Sequence, residues 1–394
     1  MAQRTVPYLP TINPPIWELG HVGWFQEYWC LRSNNDGELS SSLLEHADRW
    51  FDSAKVGHQS RWSLDLPSLE TLRDYLAESL KAVLKKLQRA PDTDEGLYFF
   101  RLVLFHEMMH AEAFAYTCQT MAYPLPNTKR EQPQGKSSED CRVVADSALA
   151  NFSLGSTTSA STTSTNSNST SHSSVESKLA KFPLSTSIRL GSSPGQGFAF
   201  DNEKWAHGHK LAPFEIELQP TSVREFEQFV SDGGYANAKW WDPEYFAYLK
   251  SSQRTAPFYW REQAGGFSRR WFDQCLPLNL DEPMMHVSAF EAEAFCRWAG
   301  KRLPTEAEWQ YAAEHDPQCQ WGDKVWEWTS TVFEAFPGFS ADPYKEYSEP
   351  WFGTHRVVRG GSFVTPKGML STKFRNFYTP ERSDIFAGFR TCAA

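Results

Sequence analysis

A tract of serine, threonine and asparagine near the middle of the 394-residue chain most constrains its fold. Between Ser156 and Ser174 nearly every residue is of these three types, and such a composition cannot bury an apolar core. A chain of this length is long enough for two domains. We therefore predict a largely disordered linker over residues 125–186, with folded domains at residues 1–124 and 187–394.

Composition and charge argue against several classes of protein. Apolar residues make up 40% of the chain, and no apolar stretch is long enough to span a membrane. The net charge of -9, without a basic run, argues against nucleic acid or an anionic membrane as the partner. The seven cysteines are scattered without CxxC spacing, and the N-terminus lacks the apolar region of a signal peptide. We therefore predict a reduced chain in the cytoplasm.

Apolar periodicity and capping residues predict a helical bundle before the tract. Helices are expected at four places: after Asn13 with its two following prolines, over about 41–52, after Ser68, and from Thr93 to about Cys118. After Ile188, glycine, proline, tryptophan and short alternating segments predominate, and only residues 222–232 and 288–300 are predicted helices. The predicted fold class is α+β, a helical bundle followed by a compact mixed domain.

The segment from His106 to Glu112, with the sequence HEMMHAE, carries the clearest chemical signal. His106 and His110 are four residues apart on a predicted helix, so they share one face and can hold one metal ion. The letters also match HExxH, in which Glu107 would be the general base of a zinc hydrolase. A buried histidine pair satisfied by backbone groups is the alternative without chemistry.

A third ligand separates these interpretations. No candidate ligand follows soon after the HExxH segment, as a zinc protease requires, whereas His21 lies upstream on another predicted bundle helix. Three neutral imidazoles on one side of a metal leave positions open for oxygen and a substrate. In that arrangement Glu107 points away from the metal, and Glu112 is expected to orient a ligand imidazole.

Four motifs in the second half resemble the formylglycine-generating-enzyme domain, which has a C-type-lectin-like fold. They are residues 299–309, 325–329, 359–363 and 387–390, and the resemblance covers about Ile188 to Thr391. In the copper-dependent oxidases of that family a catalytic cysteine follows the Gly-Gly-Ser motif, but here Val364 and Thr365 follow Phe363. The resemblance therefore does not extend to the cysteine chemistry, and a non-catalytic lectin-like binding module is a further alternative.

A DinB-like iron-binding bundle joined to this domain resembles the ergothioneine-synthase family of sulfoxide synthases. The N-terminal part of the resemblance rests on residues 13–21 and on His106, His110 and Glu112. It implies that His21, His106 and His110 bind Fe(2+). The family uses this iron and O2 to join a chalcogen to the imidazole of hercynine, the trimethylated betaine of histidine. We therefore expect an oxidoreductase with small-molecule substrates and without nucleic-acid or membrane partners.

The same resemblance assigns roles in the second domain. Tyr344 and Tyr347 match the family's active-site tyrosine pair, and Tyr344 is the expected proton donor during oxygen activation. Asn376 and Phe377 match an Asn-Trp pair that holds the trimethylammonium group of the substrate. An aromatic face suits this cation, which cannot donate a hydrogen bond.

The chain departs from the family at the donor site and at its start. Members that use gamma-glutamylcysteine carry an aspartate after the Asn-Trp pair and an arginine four positions later; here these are Tyr378 and Arg382. Loss of the carboxylate removes the partner of the donor's ammonium group, and the surrounding sequence looks like the selenoneine-synthase branch, which uses a selenosugar. A cysteine or gamma-glutamylcysteine donor is the alternative. The family usually has another helix before the Asn-Pro-Pro segment, so the bundle is expected to lack its first helix or to have a partner cover the gap.

Overall fold

The computed structural model of the protein describes residues 6–33, 39–125 and 179–394. The first domain is a helical bundle, as predicted. Its helices are α1 (Pro15–Glu27), α2 (Ala47–Phe51), α3 (Leu69–Leu87) and α4 (Asp94–Thr120). Helix α1 packs against each of the other three, so its side chains point into the centre of the bundle.

Side-chain caps confirm the predicted starts of α3 and α4. The hydroxyl oxygens of Ser68 and Thr93 each accept a backbone N–H bond of 3.1 Å from three residues further on. The predicted cap of α1 was wrong, because Pro14 precedes the helix and the Asn13 side chain accepts a bond from Arg61 instead. Helix α2 is also shorter than the predicted helix over 41–52.

The second domain adds four helices and thirteen strands among the described residues. The helices are α5 (Val223–Ser231), α6 (Pro243–Ser251), α7 (Ala289–Ala299) and α8 (Glu306–His315). The strands are β1 (Leu179–Phe182), β2 (Thr186–Leu190), β3 (His207–Leu211), β4 (Phe214–Glu217), β5 (Trp260–Gln263), β6 (Gly266–Trp271), β7 (Gln274–Pro277), β8 (Lys301–Arg302), β9 (Trp326–Val332), β10 (Arg356–Gly360), β11 (Asn376–Tyr378), β12 (Ala387–Gly388) and β13 (Cys392–Ala393). Helices α5 and α7 are the two that the sequence predicted, whereas α6 and α8 were missed.

Four small sheets organise these strands. Their orders are β1-β4-β13-β8, β11-β10-β9-β12, β2-β3 and β5-β6-β7. In the second of these sheets, β10 pairs antiparallel with both β9 and β11. This sheet places Trp326, at the start of β9, and Asn376 and Tyr378, on β11, beside the helical bundle, where they line a shared cavity.

The second domain begins earlier than the predicted residue 187. Strand β1 lies within the predicted linker range of 125–186, and it pairs antiparallel with β4 from Leu179 to Phe182. The residues before it, 126–178, lie outside the described residues. Their predicted disorder therefore stays a prediction. The predicted loss of a first bundle helix also stays a prediction.

One continuous apolar core joins the two domains. It includes Trp17 and Phe25 of α1, Leu102 of α4, and Trp326 and Trp328 of β9. At the end of α4 the Gln119 side chain accepts a hydrogen bond of 2.6 Å from the Phe272 backbone N–H of the second domain. The apolar core therefore continues from the bundle into the mixed domain.

Cysteine pairing and helix length bear on the predicted compartment. Five described cysteines are free thiols, but Cys275 is disulfide-bonded, so the prediction of a fully reduced chain was wrong at this position. Among the described helices, none combines the length and the apolar character needed to cross a membrane. The cytoplasmic location stays a prediction.

Candidate metal centre and active-site cavity

Three histidines meet between α1 and α4. His21 comes from α1, whereas His106 and His110 project from one face of α4, one turn apart. One ring nitrogen of each lies within 4.8 Å of the other two, and the Nε2 atoms of His106 and His110 are 3.2 Å apart. Two nitrogens that share a metal at ~2.1 Å lie roughly 3.0–3.4 Å apart, so this pair has the spacing of metal ligands.

Burial keeps two of these imidazoles neutral. His21 and His106 are buried, with 2% and 4% of their surface exposed. Burial, reinforced by the neighbouring His110, lowers the pKa of His21 to about 3 and the pKa of His106 well below its usual value. A neutral imidazole keeps a nitrogen lone pair, which is the form that binds a metal.

Two hydrogen bonds determine which nitrogens face the centre. His21 Nδ1 donates to the Phe51 carbonyl oxygen at 2.8 Å, and His110 Nδ1 donates to Glu18 Oε1 at 2.6 Å. Each bond holds the proton on Nδ1 and leaves Nε2 for the metal. Sequence reasoning missed Glu18, although its position three residues before His21 places both on one face of α1. The three rings thus fit one metal ion, with its remaining positions open.

The two glutamates of the HEMMHAE segment lie in different environments. Glu107 is exposed on an outer groove that Arg73 also lines, as expected for a residue that points away from the metal. It is therefore not placed to act as the general base of a zinc hydrolase. The prediction that Glu112 orients a ligand imidazole was wrong, because its hydrogen bonds come from the second domain and Glu18 orients His110 instead.

A cavity of about 280 Å³ opens beside the three histidines, between the bundle and the second domain. Its wall is rich in aromatic side chains from both domains. These are Trp17, Tyr116, Trp326, Tyr344, Tyr347 and Tyr378. A cavity with an aromatic wall and a few polar groups next to a metal centre can bind a small organic cation and present it to the metal.

The structure brings both predicted tyrosines to this cavity. The ring centroid of Tyr344 lies 6.3 Å from that of His106, and burial raises the pKa of Tyr344 to about 12. The phenol is therefore protonated at neutral pH. Tyr347 stacks on Phe200 at 4.1 Å, and its hydroxyl oxygen lies 3.6 Å from Met109 Sδ.

Strand β11 presents two of its three residues to the cavity. Asn376 and Tyr378 line the wall, and Asn376 Nδ2 donates to Tyr378 Oη at 3.3 Å. Side chains alternate along a strand, so Phe377 points to the other face and stacks on Phe333 at 4.0 Å. The structure therefore does not bring Phe377 to the cavity wall, and its predicted contact with a substrate stays a prediction.

Two arginines near the cavity differ in how their charge is balanced. Arg382, predicted to bind substrate, instead makes a two-point ion pair with Asp384 at 2.5 and 2.8 Å and lies behind Tyr378. Arg61, which sequence reasoning missed, lines the cavity and stacks on Trp17 at 3.8 Å. Burial lowers the pKa of Arg61 to about 10, so it stays charged at neutral pH, and its Nε has no hydrogen-bond partner among the described residues. Among the described residues, no carboxylate forms an ion pair with Arg61. Its guanidinium is therefore available to an anionic ligand.

Both domains match known families. Residues 1–114 match the DinB superfamily, and residues 175–324 and 319–394 match the sulfatase-modifying factor enzyme 1-like domain over more than half of the chain. These matches confirm the predicted fold class, a DinB-like helical bundle followed by a formylglycine-generating-enzyme-like domain. A bundle with three clustered histidines, closed over by such a domain, defines a class of candidate metalloenzymes.

Comparison with curated proteins gives the family within this class. The hercynine oxygenase of Mycobacterium tuberculosis is 31% identical over 99% of this chain and 93% of its own length. The hercynine oxygenase of Mycolicibacterium thermoresistibile is 31% identical over 97% of this chain and 88% of its own length. Ergothioneine biosynthesis protein 1 of Schizosaccharomyces pombe is 26% identical over 94% of this chain and 50% of its own length. The chain belongs to the hercynine oxygenase family.

Proposed function

We propose that this protein uses Fe(2+) and O2 to join hercynine to a selenosugar through a new carbon–selenium bond. The observation that carries the proposal is the open three-histidine centre, which faces a cavity that Tyr344 also lines. When bound, the iron supplies the redox chemistry that O2 activation needs, whereas zinc has no accessible redox states. Membership of an oxygenase family also supports a redox-active metal such as iron over zinc.

The proposed reaction balances with O2 as the sole oxidant. Joining a selenol to the ring carbon of hercynine removes one hydrogen from carbon and one from selenium, together with two electrons. Transfer of an oxygen atom to selenium removes two more electrons. These four electrons reduce O2, which leaves one oxygen atom on selenium and the other in a water molecule. A thiol donor gives a sulfoxide by the same balance.

The wall residues suit hercynine. The aromatic rings match its trimethylammonium group, and the charged Arg61 matches its carboxylate. Tyr344 holds its proton at neutral pH, and burial raises the pKa of its phenol further, to about 12; we assign it the role of proton donor. Glu18 holds His110 in the orientation that binds the metal.

Where the chalcogen donor is expected to bind, neither Tyr378 nor Arg382 offers a free charge to an amino acid, and this supports a selenosugar. Tyr378 stands where a carboxylate would bind the ammonium group of an amino acid, and Arg382 is already paired with Asp384. A sugar requires aromatic faces and neutral hydrogen-bonding groups, which Tyr116, Asn376 and Tyr378 supply.

The second candidate is an ergothioneine-type reaction with cysteine or gamma-glutamylcysteine. Arg61 is the observation that favours it, because a partly buried guanidinium that makes no ion pair among the described residues also suits the carboxylate of an amino-acid donor. One assay separates the two donors. Anaerobically purified protein is loaded with Fe(2+) and given hercynine, O2 and one donor at a time, and products are measured by mass spectrometry.

We expect a selenium-containing product only with the selenosugar. Turnover with gamma-glutamylcysteine alone would replace the first candidate by the second. A zinc hydrolase is tested on the same preparation by metal analysis. Stoichiometric zinc, with peptidase activity that survives His21→Ala, would overturn the assignment of an iron oxygenase.

A further inference from the structure

We propose that Glu112 is a positioning residue through which the second domain sets the metal affinity of the histidine centre. Glu112 follows His110 by two residues on α4, and only 5% of its surface is exposed. The metal ligands all come from the bundle, yet each hydrogen bond that the Glu112 side chain accepts comes from the second domain. The inference concerns metal binding and does not depend on the identity of the substrate.

Three donors surround the Glu112 carboxylate. Trp326 Nε1 and Ser362 Oγ each donate to Oε1 at 2.7 Å, and Thr365 Oγ1 donates to Oε2 at 2.7 Å. The Ser362 backbone N–H donates to Thr365 Oγ1 at 2.8 Å, so the loop after β10 presents both hydroxyls in a fixed arrangement. Hydrogen bonds to a buried carboxylate are short and strong, because the acceptor is charged.

These hydrogen bonds fix the position of α4 close to His106 and His110. Residues two apart on an α-helix point about 200° apart around its axis, so Glu112 and His110 face nearly opposite sides of α4. Glu18 holds His110 on the α1 side, whereas the second domain holds the helix on the other side. A small rotation of α4 would move His106 and His110 together relative to His21 on α1, whose ring nitrogen lies within 4.8 Å of theirs. Functional groups work only when such spacings are kept to within about 0.5 Å.

The proposal makes a prediction that a bundle-only metal site does not. If the histidines alone set the metal affinity, substitutions in the second domain leave it unchanged. We call the three hydrogen bonds to the Glu112 carboxylate the clamp. If the clamp contributes, loss of one of its hydrogen-bond donors weakens metal binding, although all three histidines remain. Direct hydrogen-bond partners of metal ligands contribute about 10–100-fold to affinity, so we expect a residue that fixes only the helix of those ligands to contribute up to about tenfold.

The test measures Co(2+) binding by the full-length, metal-free protein, followed by the visible absorption of the bound ion. Thr365→Val preserves the shape of the side chain and removes one donor, and Ser362→Ala removes another. We expect each to weaken Co(2+) binding by roughly tenfold and to shift the absorption band at saturating Co(2+). Glu112→Gln should do the same. Glu107→Gln, exposed on the same helix, is the matched control and should leave affinity and spectrum unchanged.

Combination of the substitutions sharpens the test. Adding Thr365→Val to Glu112→Gln should cost little further affinity, since both remove the same interaction. Circular dichroism shows whether each variant is folded, and Thr365→Val alone carries the test if Glu112→Gln does not fold. Folded Thr365→Val and Ser362→Ala proteins with wild-type Co(2+) affinity and spectrum would overturn the proposal. Because no substrate is present, that result would leave the proposed reaction untouched, and failure of the reaction would leave the clamp untouched.

Discussion

Glu18 shows how a single buried side chain orients a histidine of the candidate metal centre. Its carboxylate accepts the His110 Nδ1–H bond of 2.6 Å, and only 1% of its surface is exposed. The Phe51 carbonyl oxygen likewise accepts the hydrogen bond from His21 Nδ1. Such partners fix the proton on one nitrogen, orient the ring and make the other nitrogen a stronger ligand.

We expect Glu18→Gln to weaken metal binding by roughly 10–100-fold, because the amide keeps the shape of the side chain but loses the negative charge that supports His110. Co(2+) titration of the metal-free protein measures the effect. Glu70→Gln, an exposed change on α3, should leave the affinity unchanged. Equal affinities for wild type and Glu18→Gln would show that the charge of this carboxylate does not matter.

Tyr344 is expected to donate a proton from its hydroxyl group. A variant without that hydroxyl tests this role. Tyr344→Phe should lower turnover by about 10²–10⁴-fold and leave hercynine binding nearly unchanged, because the ring stays in place. Single-turnover rates and equilibrium binding of hercynine separate the two effects. Tyr347→Phe is the control, with a loss below about tenfold, since its hydroxyl contacts only a methionine sulfur at 3.6 Å among the described residues. Similar losses for both variants would contradict the assignment.

The buried histidines also predict how stability depends on pH. Burial lowers the pKa of His21 to about 3 and that of His106 well below its usual value of 6.5. Below pH ~6.5 the unfolded chain therefore binds protons that the folded, metal-free protein does not, so this stability is complete above 6.5 and is lost as the pH falls toward 3.

We expect the free energy of unfolding of the metal-free protein to fall by about 1.4 kcal/mol per buried histidine for each pH unit below ~6.5. Urea unfolding between about pH 7.5 and 5.5 measures this slope. His21→Phe should make the slope shallower, whereas His46→Ala, at an exposed position, should not. An unchanged slope in His21→Phe would mean that His21 is not held neutral in the folded protein.

At the scale of elements, α1 positions the metal centre because small residues let its neighbours approach. A Cβ atom on Gly20 would lie 2.3 Å from the Phe51 ring, and one on Gly23 would lie 2.8 Å from a Leu76 methyl carbon. Phe51 ends α2, and its carbonyl oxygen holds His21. Close packing of α1 on α2 and α3 therefore brings the Phe51 carbonyl oxygen within hydrogen-bond distance of His21.

We expect Gly20→Ala to lower the free energy of unfolding by about 1–3 kcal/mol, because the Phe51 ring must move, and to weaken metal binding as the Phe51 carbonyl moves with it. Urea unfolding and Co(2+) titration measure the two effects. Gly57→Ala is the matched control, since its Cβ would meet only Ser60 Oγ at 3.7 Å. Unchanged metal affinity in a destabilised Gly20→Ala protein would show that the His21 partner tolerates the shift.

At the scale of the whole molecule, the two domains share an apolar core and a buried hydrogen-bonded contact at Glu112. The cavity wall draws on both domains, so neither domain encloses the site alone. The bundle supplies the three clustered histidines, and the second domain supplies Tyr344, Tyr347 and β11.

This shared core predicts that the domains unfold together. Far-UV circular dichroism, dominated by the helices, and tryptophan fluorescence should give the same urea midpoint. Saturating Co(2+) should raise both midpoints equally, since it binds only the folded state. Two separate midpoints would show that the interface is too weak to couple the domains.

Local sequence was sufficient for the features that depend on short spacings. The caps at Ser68 and Thr93, the α4 histidine pair and the motifs of the second domain all lie within a few residues of the groups that they serve. Helix propensity and side-chain periodicity act over the same range. The fold class could therefore be predicted before any contact was known, and the resemblance of the motifs pointed to the family.

Tertiary packing alone decided the partners of these residues. Glu18 and His110 are separated by 92 residues along the chain, and Glu112 lies 253 residues from Thr365. Asn13 caps no helix because Arg61 binds it, and Phe377 leaves the cavity because its strand alternates. Spacing along the chain carries no information about contacts at such separations, since they form only when helices and sheets pack. Sequence thus pointed to the three histidines that cluster in the bundle, whereas the fold determined which residues hold them in place.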